Sequence, residues 1–70
     1  MKDSIKVYSL PGCGMCRALK QQLESRNIPF EDCQDIDYMK SIGITSTPIM
    51  EIDGTRYNFA QAIHYIKENF

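Results

Sequence analysis

Apolar and polar residues alternate in "SIKVYSL", residues 4 to 10, where Ile5 and Val7 are interleaved with Lys6 and Tyr8. That period of two, rich in β-branched and aromatic residues, predicts a strand. From Gly14 to about Arg26 the period lengthens. Cys16, Leu19 and Leu23 fall at i, i+3 and i+7 among strong helix formers, which predicts a helix with one core-facing stripe. Asn27 suits the left-handed conformation that ends a helix, and Pro29 prevents continuation, so "IPFED" opens a second short strand. In "DIDYMKSIG" the residues Ile36, Met39 and Ile42 recur at helical spacing and Gly43 is placed to terminate them. "TPIMEIDGTRYN" holds two short extended runs around Asp53-Gly54, a pair that readily takes positive φ in a tight hairpin. Asn58 is a good N-cap with Gln61 at the third helical position. Phe59, Ile63, Ile66 and Phe70 form the expected apolar face of a closing helix. The order is βαβαββα, and its first strand, helix and strand imply a right-handed parallel crossover.

Seventy residues make one small domain, 1 to 70, near the lower limit for a core without staples. The net charge of −1 shows no basic excess to attract nucleic acid. The segment "MKDSIKVYSL" lacks the apolar run of a signal peptide, and no stretch approaches the roughly 20 apolar residues of a membrane span. A cytoplasmic location, no membrane contact and a monomer are expected. Three cysteines are an odd number for a disulfide framework, which turns attention to a metal or redox role for Cys13 and Cys16 in "CGMC".

The chain resembles the thioredoxin superfold and, within it, the short glutaredoxin-like redoxins. Three features carry the resemblance: "CGMC" between strand and helix, Thr47-Pro48 before the third strand, and the "DG" hairpin leading into the last helix. The resemblance implies an α/β, thioredoxin-like fold. It has four strands in order 2-1-3-4, a mixed sheet with the third antiparallel to the first, flanked by three helices. It implies a cis Pro48 facing the cysteines, with Thr47 offering its backbone to an extended substrate segment. Departures from the family pattern are informative. Leu10 stands where many glutaredoxins have lysine, "YNFAQA" (57 to 62) replaces Gly-Gly followed by acidic residues, and Gly12 occupies the tryptophan position of thioredoxins. The first two alter positions that usually contact glutathione. The chain therefore looks closer to redoxins reduced by NADPH through a thioredoxin reductase, which supply electrons to ribonucleotide reductase, than to those reduced by glutathione. No tightly bound cofactor is expected, and the implied partners are protein disulfides and a reductase.

Disulfide exchange needs an accessible thiolate and a second thiol that resolves the mixed intermediate. Cys13 sits at the helix start, where unpaired N–H groups and the helix dipole favour negative charge. Arg17 and Lys20, at i+4 and i+7, share its face. Cys13 is the expected nucleophile and Cys16, on the Leu19/Leu23 stripe, the resolving thiol. Met15 and Tyr57 are candidate partner contacts. The alternative is a zinc or copper module built on the same pair, with Cys33 and His64 as further zinc ligands. Against zinc, His64 lies off the apolar stripe and Cys33 lies in an acidic run. Against a copper carrier, those domains run βαββαβ, whereas this chain ends on a helix. Cys33, surrounded by Glu31, Asp32, Asp35 and Asp37, reads as a small strand residue, since nearby negative charge disfavours a thiolate.

Overall fold

The computed structural model describes residues 4 to 70. Seven elements follow in the expected order: β1 (Ile5–Tyr8), α1 (Gly14–Ser25), β2 (Glu31–Cys33), α2 (Ile36–Ser41), β3 (Ile49–Ile52), β4 (Thr55–Tyr57) and α3 (Phe59–Asn69). The four strands form one sheet in the order β2-β1-β3-β4. β1 runs parallel to β2 and antiparallel to β3, and β3 pairs antiparallel with β4. This is the α/β thioredoxin-like architecture. No helix among the described residues is long and apolar enough to cross a membrane.

Both faces of the central strand are covered, which corrects the simple alternation expected of β1. Ile5 and Val7 join Leu19 and Leu23 of α1, Met50 and Ile52 of β3, and Ala62 and Ile66 of α3 in the larger core. Tyr8 faces the other way yet is only 1% exposed, because Met39 and Ile44 cover it. Ile36 and Phe70 also depart from expectation. At 50% and 52% exposure both lie outside the core. α2 is only six residues long and buries Met39 alone; the chain turns at Gly43, φ 85°, and Ile44 rather than Ile36 completes that side. On α3 the buried pair is Ala62 and Ile66, flanked by the half-buried Phe59, Ile63 and Tyr65, and Phe70 lies beyond the last helical residue.

Local signals set the boundaries. Asn27 takes φ 57° after α1, and the second strand begins at Glu31, later than the "IPFED" start, because Ile28 bonds back to the Leu23 carbonyl at 2.9 Å. Asp53 and Gly54 take φ 51° and 82° in the β3–β4 hairpin. Asn58 and Gln61 form the reciprocal capping box, with bonds of 2.8 and 3.0 Å.

Candidate functional site

β1 ends at the sheet centre and hands the chain to α1 through Ser9–Gly12, so α1 starts at the carboxyl end of the central strand. Cys13 is the N-cap of α1. Its backbone is extended (φ −86°, ψ 112°), and its sulfur accepts the Cys16 N–H at 3.1 Å. A helix N-terminus leaves donors without intrahelical partners, and here one of them points at Cys13 Sγ. Cys16, one turn on, belongs to the buried stripe and is 1% exposed, while Cys13 is half-buried. The two form a disulfide with Cα atoms 5.2 Å apart. This vicinal pair is the redox-competent feature of the chain.

The loop before β3 supplies the opposite wall. The Thr47–Pro48 peptide bond is cis, Pro48 is buried, and Thr47 Oγ1 lies 4.0 Å from Cys13 Sγ. The structure thus brings together Cys13, Cys16, Thr47 and Pro48 from segments more than thirty positions apart. Arg17 and Lys20 line a shallow depression of about 150 Å³ with both cysteines, Leu10 and Gln34. Met15 is 53% exposed beside them. Tyr57 is placed elsewhere, its ring 5.1 Å from that of Tyr65 at a 50° tilt, lining a separate groove against α3.

Lys20 has a partner. Its ammonium is 3.0 Å from Asp32 Oδ2 and 3.4 Å from Ser9 Oγ. Ser9, fully buried, donates to Asp32 Oδ1 at 2.6 Å and accepts from Gln34 Nε2 at 3.4 Å. This cluster ties β1, α1 and β2 together directly under the depression. Ser9, Asp32 and Gln34 were not evident as site residues in the sequence. The available signal was the period-two series Ile5, Val7, Ser9, which puts a hydroxyl at an inward position that needs a partner.

Cys33 packs against the Tyr8–Met39–Ile44 cluster, whereas His64 sits on α3, which covers the opposite face. Among the described residues no three His, Cys, Asp or Glu side chains converge on a point where they could hold a metal ion. Burial raises the Tyr8 phenol above its ordinary pKa, and the negative charge of Glu51 adds to this. Lys6 is raised in turn, first by Tyr8 and then by Glu31, which lies 4.0 Å away.

The chain is similar to known proteins in sequence and in fold. An "Uncharacterized glutaredoxin-like 8.6 kDa protein in rubredoxin operon" of Clostridium pasteurianum is 37% identical over 57 residues, covering 71% of this chain and 76% of that protein. A solved chain described as "C- Orthorombic NaGST1" superposes with a TM-score of 0.78 at 17% identity. It covers 99% of this chain, which spans only 36% of its length, and so speaks to the fold alone. The glutaredoxin family model matches residues 5–56, from the first strand through both cysteines and the Thr47–Pro48 wall into β4, and the chain belongs to that family.

Proposed function

We propose that the chain is a dithiol thiol–disulfide oxidoreductase that reduces protein disulfides, with Cys13 as nucleophile and Cys16 as resolving thiol. The observation that carries this is the unequal setting of the pair: Cys13 is half-buried and its Sγ faces a helix N-terminal N–H, while Cys16 is buried. In the reduced protein the Cys13 thiolate attacks one sulfur of the target disulfide. A mixed disulfide forms, and the first target sulfur leaves as a thiolate that takes up a proton. Cys16 then loses its proton and attacks Cys13 Sγ, forming the Cys13–Cys16 disulfide and releasing the second target thiol. Two electrons pass to the target, whose two thiols take up the proton lost by Cys16 and one from water.

The Cys13 thiolate is favoured first by the helix N-terminus and next by Arg17, with Lys20 contributing less because Asp32 shares its charge. Thr47 offers backbone contact to the target and Met15 an apolar one. Regeneration uses NADPH through a thioredoxin reductase in preference to glutathione. Leu10 brings no charge to the site, and at the start of α3 the amides of the N-cap, residue 58, and of residue 61 are already paired within the capping box. Ribonucleotide reductase is a target consistent with the short redoxins that share these departures, and the cytoplasm, as a monomer, is the setting.

The test is the Cys16→Ser variant, which should accumulate mixed disulfides through Cys13 that peptide mapping locates. Capture through Cys33 instead would overturn the assignment. Oxidised protein offered NADPH with thioredoxin reductase should turn over faster than with glutathione and its reductase. The reverse ranking would overturn the reductant assignment and leave the cysteine roles intact.

A further inference from the structure

Leu10 borders two concavities. One is the depression around Cys13 and Cys16. The other is a groove of about 250 Å³ lined by Ile36, Met39, Lys40, Ile44 and residues 45 to 47. Thr47 makes a second link, since it lines the groove and its hydroxyl is 4.0 Å from Cys13 Sγ. Groove and reacting sulfur are therefore one continuous surface.

The floor of the groove is apolar, built from the buried Met39 and Ile44, and Ile36 overhangs it at 50% exposure. A single exposed isoleucine is ordinary. Here it stands on the same helix face as Lys40, at i and i+4, at the rim of an apolar groove that opens toward the redox pair. The charges around the combined surface have one sign. Lys40 lines the groove, Arg17 and Lys20 line the depression, and no carboxylate lines either, in a chain whose net charge is −1. Lys20 is held by Asp32, while Arg17 and Lys40 are in no ion pair among the described residues. The nearby Asp35 is turned to the Tyr38 N–H at 3.1 Å, and Asp37 lies off the Ile36/Lys40 face.

We propose that this groove selects the target, an extended protein segment with an apolar residue beside an acidic one, about two or three residues from its reactive cysteine. The proposal rests on the redox reading above. An extended segment advances about 3.3 Å per residue, so with its cysteine at Cys13 an anchor at that separation passes Thr47 and enters the groove. Its apolar side chain fills the space between Ile36, Met39 and Ile44, and its carboxylate meets Lys40 or Arg17. Glutathione carries carboxylates but no apolar side chain, and leaves the groove empty.

The test uses the full chain, reduced and freed of reductant. Its substrates are peptides joined through one cysteine to nitrothiobenzoate, whose release is read by absorbance. Cys13 displaces the dye from the peptide sulfur, and Cys16 then releases the peptide as a thiol. One peptide carries Leu-Glu two residues from the cysteine and another Ser-Lys; glutathione–nitrothiobenzoate and a neutral dipyridyl disulfide complete the set. The Leu-Glu peptide should react about tenfold faster than the Ser-Lys peptide. Its rate relative to the dipyridyl disulfide should fall about tenfold in Ile36→Ser and about threefold in Lys40→Glu. Equal rates on the two peptides, unchanged ratios in both variants, or a preference for the glutathione conjugate would overturn the groove and leave the redox reading standing. Failure to reduce the dipyridyl disulfide at all would overturn the redox reading itself.

Discussion

Replacing Ser9 by alanine removes one oxygen from a site with no exposure to solvent. The hydroxyl donates to the Asp32 carboxylate at 2.6 Å, and hydrogen bonds to charged groups contribute about 1.5–3 kcal/mol. Its contacts to Lys20 and Gln34, both at 3.4 Å, are long and add little. The Asp32 side chain is 33% exposed, so water replaces part of the lost bond and the expected cost falls to about 1.5–2 kcal/mol. A chain of this size has about 4–10 kcal/mol in total. The loss corresponds to a Tm lower by about 6–15 °C. Urea unfolding should show an earlier midpoint at unchanged slope. A double-mutant cycle with Asp32→Asn should return a coupling of about 1 kcal/mol. Ser9→Ala within about 0.3 kcal/mol of the wild type, or strict additivity with Asp32→Asn, would refute the assignment of this cluster as the tie between β1, α1 and β2.

Other expectations follow from single positions. Asn58→Ala removes the side-chain acceptor of the Gln61 N–H, while the residue-58 N–H can still donate to Gln61 Oε1, and should cost about 1 kcal/mol in the same urea assay; no change would mean that α3 is held by Ala62 and Ile66 alone. Gly54→Ala should destabilise by about 1 kcal/mol or more although no atom lies within 4 Å of the new methyl group, because φ is +82°. Gly14→Ala, equally open and without a positive φ, should be neutral or stabilising, and matching losses in the two variants would refute the backbone argument. The Tyr8 phenol is raised by burial above its ordinary value of 10.0. Its contribution is thus present in full below that pH and is lost as pH rises through the folded-state value. Urea midpoints measured from about pH 9 to pH 11 should fall more steeply for the wild type than for Tyr8→Phe, and parallel curves would refute the reasoning.

Periodicity carried most of the fold. The Cys16/Leu19/Leu23 stripe, the Asp53–Gly54 hairpin and the Asn58 cap are local signals, and each structure they encode depends on neighbours a few residues away. The departures at Tyr8 and Ile36 share one cause. Burial there is decided by which element covers a face, and that depends on chain paths between distant segments. Tyr8 is covered because α2 and Ile44 pack on the second face of the sheet, while α2 is too short to bring Ile36 in with Met39. At the site, "CGMC" was visible as a motif, but the engagement of Lys20 by Asp32 was not. Helical spacing put Lys20 on the Cys13 face, and only the β1–β2 pairing reveals the carboxylate that meets it first.

The donor that meets the Cys13 sulfur is a main-chain group, the Cys16 N–H, rather than a side chain. No codon change at Gly14 or Met15 that leaves the helix intact can delete it, and it persists even in Cys16→Ser. Salt does not displace it as it would a mobile surface charge. Descendants of this sequence can therefore vary the two exposed residues between the cysteines, and with them the surface shown to partners, while inheriting the polarity that acts on Cys13 along with the helix itself.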